Sequence, residues 1–129
     1  MAQQPITAVL RKLVTQPQTA PLCDQVTLID HAQEAIFEGK STVTSILTTF
    51  FHDSFQGECT INNLIANESA AALTITVNGR HHNHFMGIPP TGRVVTLPLA
   101  LICRLTQDQV CHIALFYDAG SLLRQLGLA

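Results

Sequence analysis

The sequence predicts an α+β domain, with a curved antiparallel sheet packed on N-terminal helices around an apolar cavity. Three observations predict it. Helical spacing is confined to two early segments and a short last one. Strand patterns run consecutively from Gly57 to Tyr117. The composition is 47% hydrophobic and 12% charged over 129 residues, which rules out general disorder. Segregated helices and consecutive strands are the signature of helices laid on one side of an antiparallel sheet. The length fits a single domain spanning 1–129.

The elements follow in order. Ile6, Val9, Leu10 and Leu13 fall at helical spacing, and Pro5 suits the first turn. Pro17 and Pro21 break that helix and make 15–21 a connector. Val26 to Ala32 reads as a strand with Val26, Leu28 and Asp30 on one face, and 34–38 as its short return. Val43, Ile46, Leu47, Phe50 and Phe51 mark the clearest helix, with Ser41 or Thr42 as its cap. Asn62-Asn63 interrupts the next strand as a bulge. Leu73, Ile75 and Val77 alternate with polar residues. Val94 to Leu105 is a long strand in which Pro98 implies a bulge or an edge. Residues 106–109 form a hairpin loop, 110–117 its return strand, and 121–126 a terminal helix.

The formal net charge of −2 gives no basic footprint for nucleic acid. No apolar run approaches the ~18 residues of a membrane span, and the start lacks a signal-peptide pattern, so the expected compartment is cytoplasmic. Low charge on a small domain leaves apolar surface, which favours a homodimer. Cys23, Cys59, Cys103 and Cys111 form no close pair, so all four are expected as reduced, mostly buried thiols.

The segment Gly79 to Arg93 is the most unusual. His81, His82 and His84 precede Phe85-Met86-Gly87, and Ile88-Pro89-Pro90-Thr91-Gly92 is a rigid turn. His82 and His84 alternate on one face, but no third ligand is near, so no metal is expected. With Gly79, His81, Phe85 and Gly87 through Arg93, then Asp118 and Leu122-Leu123-Arg124-Gln125-Leu126-Gly127, the chain resembles the SnoaL-like polyketide cyclase (ester cyclase) family, within the nuclear transport factor 2-like fold. The resemblance runs from about Glu58 to the C-terminus. Arg80, Asn83, His112 and Ala114 depart from the family pattern.

The resemblance implies a cofactor-free cyclase or isomerase acting on a small, largely apolar carbonyl compound, with Asp118 as general acid/base. A carboxylate in an apolar pocket is a stronger base, and it could remove a proton beside a carbonyl. Asp118 also stands where an aspartate caps a helix, and the two roles remain open. His81, in phase with Leu73, Ile75 and Val77, is the candidate carbonyl partner or a satisfied strand-end histidine. Phe85, Met86 and Phe116 are candidate pocket walls, and Tyr117 is core or wall. Asp30 is a pocket candidate because it is in phase with Val26 and Leu28. His112, in phase with Val110, Ala114, Phe116 and Asp118, is either a further pocket residue or a rim histidine. The rival reading is a binding or interaction domain of the same fold without chemistry.

Overall fold

The computed structural model describes residues 6–128. The order is α1 (Ile6–Thr15), a 3-10 turn (Pro17–Thr19), β1 (Leu22–Asp30), β2 (Ala35–Glu38) and α2 (Lys40–Thr48). Then come β3 (Phe55–Ala66), β4 (Ala70–His81), β5 (Val94–Thr106), β6 (Gln109–Tyr117) and α3 (Ala119–Gln125). The six strands form one sheet in the order β2-β1-β6-β5-β4-β3. β3 through β6 are antiparallel neighbours, as their pattern predicts, but β1 lies parallel to β6. The sheet is therefore mixed. β2, α2 and the strands β3 to β5 all intervene between β1 and β6, and that long connection permits a parallel pairing that a hairpin would forbid. No described helix is long and apolar enough to cross a membrane.

The core lies between the helices and the inward sheet face. Leu10, Leu13, Val43 and Leu47 from the helices meet Val26, Leu28, Leu73, Ile75, Leu97 and Leu101 from the strands, all at most 1% exposed. Each fully buried aliphatic side chain contributes about 1.5–3 kcal/mol, so this layer is the main source of stability. α2 starts without the expected hydroxyl cap, because its N-cap is Gly39 at φ 93°. Its last turn widens into a π turn over Thr49–Asp53, which buries Phe50 and Phe51 side by side. Such turns rotate the following side chains off the helical stripe.

Two strand expectations need correction. Pro98 sits in the ladder opposite Thr76 on an interior strand, with no register shift between β4 and β5. It is exposed on the outer face. On β6, a register shift beside Arg104/Leu105 breaks the alternation. Val110 faces inward, but beyond the bulge Ile113 and Leu115 are the buried residues. His112, Ala114 and Phe116 therefore turn to the outer face instead of sharing Val110's side.

The parallel pairing also overturns two of the four cysteine assignments. Cys23 and Cys111 stand on adjacent strands with Cα atoms 5.0 Å apart and are joined as a disulfide. Their separation of 88 residues hid that proximity in the sequence. Cys59 and Cys103 are free.

Candidate functional site

Asp30 ends β1 and is completely buried. A buried carboxylate must find donors, and this one finds three. Its Oδ1 accepts from the backbone N–H groups of Ala32 at 3.0 Å and Gln33 at 3.2 Å. These two bonds form an Asx-type turn that swings the chain from β1 into β2 and fixes Gln33 at the turn. Its Oδ2 accepts from the Tyr117 hydroxyl at 2.9 Å. The same hydroxyl oxygen accepts from Gln33 Nε2 at 2.7 Å. Asp30, Tyr117 and Gln33 thus form one directed chain from buried carboxylate to pocket-lining amide.

Gln33 and Tyr117 are the polar groups of a pocket of about 240 Å³. The rest of its wall is apolar, from Phe85, Met86 and Ile88 of the β4–β5 connection and from Leu122 and Leu123 of α3. Phe50 packs its ring edge against Tyr117 at 5.2 Å and against Phe85 at 4.9 Å. Burial holds the Tyr117 phenol well above its ordinary value, and the Asp30 charge and acceptor push the same way. The Gln33 donor opposes them. The phenol is therefore a neutral donor across the physiological range.

Asp118 is exposed and accepts from the Ser121 N–H at 3.0 Å, capping α3. Its Oδ2 makes no side-chain hydrogen bond among the described residues. Its neighbour Ala119 lines the pocket. Gln125 completes the attachment of α3. It donates to Thr96 O at 3.0 Å and accepts from Thr96 N at 2.7 Å. β6 pairs with β5 only from Leu99 onward, so Gln125 supplies the partners that Thr96 lacks on that side.

His81 is placed elsewhere, and it shares no hydrogen bond with Asp118. It is completely buried at the end of β4 beside Phe55. The Thr91 N–H donates to its Nδ1 at 3.2 Å, so the neutral ring carries its proton on Nε2. That Nε2 is buried without a partner. Burial, with the nearby His82 and His84, holds the imidazole below its ordinary value, against an Asn83 backbone bond that raises it. The contact of His81 with Thr91 folds the Pro-Pro-Thr-Gly turn back onto β4.

Of the remaining candidates, Phe85 and Met86 line the pocket. Phe116 and His112 do not line it, and lie on the opposite face of the sheet. Phe116 is 43% exposed on the outer sheet face, stacked on His31 at 4.5 Å. His112 Nδ1 pairs with Thr27 Oγ1 at 2.9 Å. The β6 bulge is the reason for both. Gln33 escaped the sequence reading, although a strand-end Asp30 with an amide three residues on is a turn signal. Among the described residues, no group of three or more His, Cys, Asp or Glu side chains could hold a metal ion.

Comparison with known proteins agrees with this architecture. A SnoaL-like protein from Jannaschia sp. CCS1, named for a polyketide cyclase, superposes with a TM-score of 0.81 at 17% identity, covering 100% of this chain and 99% of that one. TsrD from Streptomyces laurentii gives 0.76 at 19% identity, covering 95% and 97%. A hypothetical protein of ketosteroid isomerase-like fold from Catenulispora acidiphila, solved with trimethylamine, gives 0.70 at 18%, covering 99% and 96%. At these identities the likeness establishes the fold. No curated relative matches the sequence. The model of the SnoaL-like polyketide cyclase family matches residues 22–126, which span every strand, α2 and α3, and the chain belongs to that family.

Proposed function

We propose that the protein is a cofactor-free enzyme of the cyclase or isomerase type, moving a proton at a carbon beside a carbonyl in a small, largely apolar compound. The observation that carries this reading is the Asp30–Tyr117–Gln33 chain ending in an otherwise apolar pocket. Gln33 Nε2 spends one N–H on Tyr117 and keeps a second. That second N–H donates to the substrate carbonyl oxygen, and the chain behind it fixes the amide's orientation. Asp118 takes the proton through Oδ2 from the rim beside Ala119. The C–H bond breaks, the proton goes to the carboxylate, and the electron pair passes to the carbonyl oxygen as an enolate. The enolate carbon then attacks a second carbonyl of the same molecule and the resulting alkoxide takes the proton back from Asp118; in a β,γ-unsaturated compound the dienolate instead takes it back at the γ-carbon.

The test is exchange of α-protons of straight-chain methyl ketones in D2O, followed by proton NMR. The wild type should promote exchange. Asp118→Asn should slow it by about 10²-fold or more, the usual weight of a general base. Gln33→Ala should slow it by a similar factor through loss of an oxyanion donor. Unchanged exchange in Asp118→Asn would remove that residue from the chemistry.

A second reading rests on the exposure of Asp118 and its commitment to Ser121. In that reading the pocket only binds, and ketone affinity is indifferent to Asp118→Asn while no exchange occurs. We also propose a homodimer formed through the outer sheet face, where Ile36, Ile102 and Phe116 are exposed. Sedimentation velocity on the wild type and Phe116→Lys checks it. A monomer at all concentrations contradicts it.

A further inference from the structure

A second apolar pocket, of about 230 Å³, lies on the other side of the β4–β5 connection. Phe37 of β2 and Ile46, Thr49 and Phe50 around α2 form its wall. Phe85 and Met86 line both pockets, and no other residue does. Taken singly, each falls short of the ~300 Å³ at which ligand sites begin; taken together they exceed it.

The two shared residues differ in freedom. Phe85 is 1% exposed and is wedged between Phe50 and Phe55, with centroids 4.9 and 5.2 Å away. It cannot move without disturbing the core. Met86 is only half-buried, and its unbranched thioether adapts readily to a neighbour's shape. It stands at the first position of a two-residue turn closed by Phe85 and Ile88, whose backbones exchange hydrogen bonds of 3.1 and 2.8 Å. Met86 and Gly87 have φ of 52° and 78°, both positive as a type I′ turn requires. Glycine is at home there, whereas the Cβ of a methionine crowds the following carbonyl oxygen. The strained position presents a pliable side chain at the boundary of two chambers.

Building on the proposed carbonyl site, we infer that Met86 is a specificity-determining partition and that the natural ligand is elongated. Its carbonyl sits at Gln33, and its apolar tail passes Met86 into the chamber beneath Phe37 and Ile46. Shortening Met86 opens the passage. Enlarging Ile46 fills its far end without touching the carbonyl end.

The probes are straight-chain methyl ketones from 2-pentanone to 2-dodecanone. The readout is intrinsic fluorescence, because the chain has one tyrosine, Tyr117, and no tryptophan. Each methylene taken into an apolar chamber is worth about fourfold in affinity. Met86→Gly, which also relaxes the turn, should extend that gain to the longest ketones and tighten them by about tenfold or more. Ile46→Phe should stop the gain early and leave 2-pentanone unchanged. If the length profile is the same in the wild type, Met86→Gly and Ile46→Phe while 2-pentanone still perturbs Tyr117, the partition is refuted and the carbonyl site stands. If no ketone perturbs Tyr117 in any variant, the carbonyl site falls and the inference falls with it.

Discussion

Asp30→Asn isolates the Asp30–Tyr117–Gln33 hydrogen-bond chain. The asparagine oxygen can still accept the two turn N–H groups now held by Oδ1 at 3.0 and 3.2 Å. What it loses is the charged acceptor 2.9 Å from the Tyr117 hydroxyl. Three causes raise the Tyr117 phenol: burial first, then the Asp30 charge and the Asp30 acceptor. The substitution removes the last two. A hydrogen bond to a charged group is worth about 1.5–3 kcal/mol, and about 1.4 kcal/mol corresponds to one pH unit. The Tyr117 midpoint should therefore fall by about 1–2 pH units, yet stay above the ordinary value near 10 because burial persists. Phenolate absorbance follows it without interference, since Tyr117 is the only tyrosine. The sign for stability follows from the raised folded value. The contribution is fully present below about pH 10 and is lost as pH rises toward the folded midpoint, by at most about 1.4 kcal/mol per pH unit. The phenol is only partly buried, so screening narrows the pH span over which that loss runs and lowers its total. Cys59 and Cys103, pushed up by burial to about 11 and about 12, lose stability in the same alkaline direction. Urea titrations of the wild type against Tyr117→Phe subtract them. A wild-type midpoint at or below 10, or one that rises in Asp30→Asn, would refute the reasoning.

Two further outcomes follow from the same geometry. His81 should stay neutral below the ordinary histidine midpoint of about 6.5, which NMR titration of its ring protons can follow. Its lowered value means that stability is lost as pH falls below about 6.5 toward the folded midpoint, and His81→Phe should flatten that acid limb. A midpoint above 6.5 contradicts the burial argument. Thiol titration in denaturant should find two free thiols before reduction and four after it, matching the Cys23–Cys111 bond. Four thiols before reduction would contradict the bond.

The sequence carried the fold where a residue's partners were local or periodic. The apolar stripe of α2, the alternation on β4 and the Asn62-Asn63 bulge all rest on near neighbours. The observed register shift between Ile61 and Asn63 matches that bulge. Long-range facts were hidden. The parallel β1–β6 pairing depends on a crossover, and it alone brings Cys23 to Cys111 and Asp30 to Tyr117. The β6 bulge is unmarked by glycine or proline, so strict alternation sent His112 and Phe116 to the wrong face. The motif residues were legible as a set, but their local physics is largely structural. His81 anchors Thr91, and Gln125 binds the β5 backbone. Met86 looked like any apolar wall residue, since its positive φ appears only in three dimensions.

The most direct measurement is a crystal structure with a medium-chain methyl ketone such as 2-nonanone bound. The account predicts the carbonyl oxygen within about 3.2 Å of Gln33 Nε2, with the tail passing Met86 toward Ile46. A ketone seated elsewhere, or one whose carbonyl turns away from Gln33 toward Leu122 and Leu123, would contradict it.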